Sequence, residues 1–293
     1  MHGTRGRFWR AMGPGLLMAG AAIGVSHLVQ STRAGAVYGF GFLALILAAN
    51  VFKYPAFRFG PEHAAATGTS LLEGYRRQGR WALGLYGLLT LGTMFTVQAA
   101  VALVTAGLLK AALGLSLAPT WLAAGLIAVC AGLLAVGKYR WLDAINKAVV
   151  GLLTLSTLAA TALLLPTIEW GAMQLWPQTW ALRDVAFAAA VVGWMPSAID
   201  ISVWHSLWTV ARKAQTGHAP SPREAVLDFH LGYWGTAALA VCFMILGAGT
   251  LFGSGQTFQA SAGGFALQVI ALYTQALGEW ARPVIGTAAF AVM

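Results

Sequence analysis

The sequence predicts an all-α, polytopic membrane protein, and three observations carry that expectation. The chain of 293 residues is 58% hydrophobic and only 9% charged, where soluble domains run about 25% charged. Apolar stretches recur at the length a bilayer crossing needs, about 20 residues. The arginines and lysines, which give a net charge of +9, fall in short segments between those stretches. That placement explains the basic balance by topology rather than by nucleic-acid binding.

Taken in order, eight spans are expected, at about 13–37, 41–60, 83–109, 120–137, 146–166, 184–211, 229–252 and one starting near Pro283. Arg5, Arg7 and Arg10 ahead of the first imitate a signal peptide, but the many later spans make it an uncleaved membrane helix. With the N-terminus in the cytoplasm, the inner segments hold Arg5, Arg7, Arg10, Arg76, Arg77, Arg80, Lys138, Arg140, Lys147, Arg212, Lys213 and Arg223. The outer ones hold Lys110, Arg183 and Arg282. This bias sets the orientation, and a multi-pass place in a bacterial inner membrane is expected. Gly253–Gly264 reads as an outer loop, Phe265–Leu277 as a short helix lying at the interface, and Arg212–Arg223 as a cytoplasmic linker. Cys130 and Cys242 lie inside apolar spans and read as buried, inert thiols.

The first and sixth spans are flawed in the middle. Met12–Phe40 is interrupted by Gly20, Gly24, Ser26 and His27, and Asp184–Ala211 by Met195–Pro196–Ser197. Gly costs about 1 kcal/mol against Ala in a helix interior. A helix that opens in mid-membrane frees backbone groups, which are tolerated only around a cavity or cargo. Two interrupted spans at matching places in two halves point to a transporter binding site. Five spans followed by three also imply an incomplete five-plus-five inverted repeat: 1–170 as the first repeat, 171–293 as the start of the second, in one transmembrane domain that stops inside an apolar run and so reads as truncated.

Ionisable groups deep in a membrane face the bundle interior or a cavity. Here they are His27, Asp200 and His205. Asp200, just past the second break, is read as a cation or proton site, or as a structural partner of Arg33, Lys53 or Ser202. His27 is a metal ligand, a proton acceptor or a hydrogen-bonded core residue. Met195 offers a soft thioether or simple packing. His205 is expected to be hydrogen-bonded within the bundle. Carbonyls near Ile23, Gly24 and Trp194 are further cation donors. Glu62 and His63 read as a snorkelling interfacial pair, Asn50 and Gln98 as polar glue between helices, and the Gly20–Gly24 spacing as close helix packing. No phosphate loop, dinucleotide fingerprint, zinc-protease motif or nucleophile elbow is found, so an enzyme is not expected.

GPGLLMAG followed by STRAGA, with GWMPSAIDISVWHS later, resembles the first and sixth spans of the Nramp divalent-metal transporters. The matches are Gly13, Pro14, Ala34, Gly35, Ala36, Met195 and Pro196. The resemblance implies the LeuT-type inverted-repeat fold with its first and sixth helices broken. It also implies alternating-access transport of Mn- or Fe-like cations, proton coupling and no cofactor. The departures are local. GVSH stands for the family's DPGN, with Gly24 at the motif aspartate and His27 at the asparagine. Ser197 replaces the first histidine of the sixth span and Ser202 the second, and the third span carries Gln98 in place of acidic residues. The resulting site set is Gly24, His27, Met195, Ser197 and Asp200, with Met195, Asp200 and His27 as the ligands of any metal. Desolvating a dication without a nearby carboxylate is very unfavourable. The alternatives are therefore a transporter of another cation or small organic solute, or a non-transporting membrane sensor or partner. The expected partners are the lipid bilayer and the transported ion or solute, with no nucleic acid and no obligate protein.

Overall fold

The computed structural model describes residues 11–136, 139–168, 170, 174–177, 180–255, 259 and 262–293. Among them it is helical, without strand. The first span is α1 (Pro14–Ala22), a wide π-type turn (Ile23–Ser31) and α2 (Thr32–Tyr38). Next come α3 (Leu43–Thr67), the short α4 (Leu71–Gln78), α5 (Arg80–Leu113), α6 (Pro119–Val136) and α7 (Tyr139–Leu164). A broken pair follows, α8 (Leu182–Trp194) and α9 (Ile201–Thr216), then α10 (Pro222–Thr250), α11 (Ala262–Leu277) and α12 (Ala281–Val292).

Four helical stretches are long and apolar enough to cross a membrane: Arg80–Leu113, Pro119–Val136, Asp143–Thr167 and Pro222–Thr250. The first two turn their apolar side chains outward: Leu88, Phe95, Val129 and Leu134 are all exposed. A helix that is apolar on its outer face has lipid or protein, not water, for a neighbour. Cys130 lies on that outer face and Cys242 is half-buried, so neither is the fully buried thiol expected of it.

The bundle is organised around α10, the most buried of the four. Both halves of the first span lie along it at glycine contacts. Gly15 of α1 meets the backbone of Asp228, and Gly232 meets that of Gly15. About four turns further along α10, Gly35 of α2 meets the Met244 carbonyl and Gly247 meets that of Thr32. Without side chains at these points the helix backbones touch. The Gly20 of the sequence pattern is also a close contact, against the Asn146 side chain, whose Nδ2 donates to the Leu16 carbonyl at 2.7 Å.

Three segments differ from the sequence reading. The linker after the sixth span is only residues 217–221, because α9 runs on to Thr216 and α10 begins at Pro222. Ser221 and Glu224 form a reciprocal capping box there, with Pro222 at the first helical position. Replacing such a cap costs about 1 kcal/mol, so Ser221→Ala should lower the thermal midpoint in detergent without altering assembly of the bundle. Second, Leu71–Gln78 is a helix of its own, held by Ser206 Oγ accepting the Leu71 N–H at 2.9 Å and by Glu73 bonded to Arg76 and Arg77. Third, the helix expected within Phe265–Leu277 is present but does not lie free at an interface. Phe265, Val269 and Tyr273 are buried with Ile23, Leu28 and Leu153, and the Tyr273 hydroxyl meets Thr157 Oγ1 at 2.7 Å.

Candidate functional site

The site is built where the two interrupted spans meet. In the first, Gly24 leaves helical geometry at φ −53°, ψ −116°, and the chain winds through a wide turn before α2. Wide turns of this kind concentrate at functional sites. In the second, α8 ends at Met195 in an extended conformation, and α9 begins only at Ile201. The breaks touch directly. Ser26 Oγ donates to the Pro196 carbonyl at 3.2 Å, and Ser31 Oγ to the Met195 sulfur at 3.7 Å.

Each expected site residue has a definite place. Gly24 is buried at the break, its open side toward Val292 and Met293 of the α12 end. His27 is fully buried. Its Nδ1 lies 2.7 Å from the Ala22 carbonyl, so Nδ1 carries the proton and donates, and 3.0 Å from Ser26 Oγ. Nε2 faces the backbone of Thr236 in α10 without a hydrogen bond of ordinary geometry. Ser26 Oγ has one proton, which the Ala22 and Pro196 carbonyls share. Met195 is fully buried and Ser197 nearly so. Asp200 is half-buried ahead of α9, its carboxylate beside the amides of Asp200 and Ile201 and within Coulombic reach of Tyr86.

The partners considered for Asp200 are engaged elsewhere. Ser202 Oγ donates to Ala56 O at 2.8 Å, and Arg33 lies over the Phe187 ring at 5.2 Å. Lys53 reaches the end of α8, where Nζ donates to the carbonyls of Val192 at 2.5 Å and Gly193 at 3.0 Å. These are carbonyls that the break leaves without helical partners. A cavity of about 580 Å³ opens beyond α2 and the start of α8, lined by Arg33, Tyr38, Arg183, Asp184 and Phe187. There the Tyr38 hydroxyl donates to Asp184 Oδ1 at 2.7 Å. Glu62 pairs with Arg58 at 3.0 Å and His63 lies against Phe59. Asn50 Nδ2 donates to Ile46 O at 2.8 Å, and Gln98 is exposed.

The opposite end of α1 holds groups that the sequence reading passed over. Asp228 is 2% exposed and accepts the N–H of Gly13 at 3.0 Å and of Gly15 at 2.6 Å. Gly13 takes φ 153° there, a geometry that favours glycine, and Pro14 opens the helix. Asp143 beside it binds Lys147 at 2.7 Å and Arg212 at 3.3 Å. The capping box at Ser221 was the available signal: it starts α10 at Pro222 and so carries Asp228 into the buried part of the helix. Among the described residues no three His, Cys, Asp or Glu side chains converge as a metal-binding group.

No protein-family model matches the chain. It is 37% identical over 289 residues to the uncharacterized protein PM0681 of Pasteurella multocida (strain Pm70), an alignment that takes in 97% of this chain. The chain spans 66% of that relative's length.

Proposed function

We propose that the chain is the transporter domain of a secondary transporter, with the LeuT-type repeat and alternating access that the Nramp resemblance implies. The observation that carries this reading is the meeting of the two breaks, Ser26 to Pro196 and Ser31 to Met195. Interrupted helices that meet at depth offer freed amides and carbonyls to a cargo. On this reading the cargo sits among Gly24, His27, Met195 and Ser197, and the Arg33–Asp184 cavity is its way in.

Two cargo readings compete. A divalent metal of the Mn or Fe kind would take the Met195 thioether and a histidine nitrogen as soft donors, with Asp200 supplying the charge. A small organic solute, or another cation, fits the charges better. The hydroxyl, thioether and imidazole groups at the junction are uncharged donors when His27 is neutral. Lys53, a cation beside the second break, already occupies carbonyls of the broken α8. We favour the second reading. Mn²⁺ uptake into proteoliposomes, with and without an inward proton gradient, tests it on wild type and Asp200→Ala. Uptake that is lost in Asp200→Ala would overturn the organic-solute reading and establish the metal one. Folded wild type that takes up no Mn²⁺ is the expected result, and the search then moves to organic solutes.

A further inference from the structure

His205 is 1% exposed, and neither of its ring nitrogens has a hydrogen-bond partner. A buried imidazole left bare is costly and calls for a reason. Its Nε2 lies 4.0 Å from Oδ2 of Asp228, the oxygen that also accepts the Gly15 N–H. The bare ring is thus aimed at the one carboxylate that holds the amino end of α1. We infer that His205 and Asp228 form a proton-binding site, and that filling it loosens the inner end of the first span. This rests on the transporter reading above and names the regulation of that machine.

The chemistry is one of charge. With His205 neutral and Asp228 ionised, the pair carries −1 and faces the positive end of α1, which it stabilises. Uptake of one proton, on Nε2 or on the carboxylate, brings the pair to zero. The hold on the Gly13 and Gly15 amides weakens, and α1 is freed to swing from α10. The backbones of Gly15 and Gly232 touch without side chains between them, while Met18 of α1 packs with Phe229 and Tyr233 of α10, the contact that the swing must open.

Other charged and titratable groups stand around the pair, and most are engaged with partners of their own. α1 brings no titratable side chain. From α7 come Asp143 and Lys147, and from α9 Arg212, already joined in their own ion pairs. Lys213 on α9 is exposed. On α3, Arg58 and Glu62 pair together, Tyr54 bonds His230 of α10 at 2.6 Å, and His63 lies against Phe59. On α4, Glu73 is held by Arg76 and Arg77, and on α10 Glu224 faces His218 and Tyr233 donates to Asn50 O. The rings of Trp208 and Phe229 close around His205.

The test is thiol accessibility in proteoliposomes of the protein, with Cys130 and Cys242 replaced by Ala. A reporter, Leu17→Cys on α1, is labelled from the inner side with a membrane-impermeant reagent at about pH 8 and about pH 5.5, the range over which a histidine changes charge. Rates are normalised to an exposed control, Ala214→Cys. Labelling is expected to rise severalfold at the lower pH in the parent, to lose that rise in His205→Gln, and to be fast at both pH values in Asp228→Asn. Asp228→Glu should restore part of the pH dependence. A normal rise in His205→Gln, or a parent that does not respond, would overturn the inference. If Asp228→Asn does not yield a monodisperse protein, the His205→Gln arm decides alone. Because labelling needs no cargo, the proton site and the transporter reading fail separately: pH-insensitive labelling removes the first even where Mn²⁺ uptake is seen, and a pH-driven opening stands whatever the uptake assay shows.

Discussion

Gly35→Val is expected to leave little folded protein in detergent, and Gly247→Ala to lose about 3 kcal/mol or more, the upper end of what overpacking costs. A Cβ on Gly35 would overlap the carbonyl oxygen of Met244, and one on Gly247 that of Thr32. Both obstacles are backbone, which cannot rotate aside as a side chain would. The two helices would have to separate, and with them the second half of the first span would leave its seat on α10. Gly84→Ala in α5 is the control, since a Cβ there meets nothing within 4 Å. Removing that glycine should stabilise by up to about 1 kcal/mol. Thermal midpoints from size-exclusion profiles read all three. A Gly35→Val protein that melts with the wild type would refute the packing described for α2 and α10.

Lys53→Met is expected to cost about 2 kcal/mol of stability. Hydrogen bonds to a charged group contribute about 1.5–3 kcal/mol, and this ammonium makes two, to Val192 and Gly193. Methionine keeps the length of the stem and removes the donors. The carbonyls at the end of α8 then lose both of these donors. Lys53→Arg should recover stability only in part, because a planar guanidinium does not place its donors as an ammonium does. Chemical unfolding followed by tryptophan emission reads the loss. Unchanged stability in Lys53→Met would mean that the break is held by other contacts.

Much of the fold was legible in the sequence because it follows from local composition. The apolar stretches became helices in the expected order. The flaws at Gly24 and at Met195–Pro196 became real interruptions, since backbone preference at glycine and proline acts within a few residues. Helical spacing found Phe265–Leu277, yet its apolar stripe fits a lipid surface and a protein core equally well, and only Tyr273 and its neighbours settled in the core tell them apart. Asp228 was missed for a similar reason. It stands at the edge of an apolar run, and the amides it holds lie 215 and 213 residues away in the chain.

The sequence by itself determined a helical chain of membrane-type composition, its basic loops and the two weak points in its spans. Those properties depend on short-range rules of charge, hydropathy and backbone geometry. The tertiary structure alone decided that the weak points meet through Ser26 and Ser31, that Lys53 serves the freed carbonyls, and that His205 and Asp228 face one another beneath α1. Each is a contact between distant segments, fixed by how closely glycine-lined helices approach, and no local pattern encodes that distance.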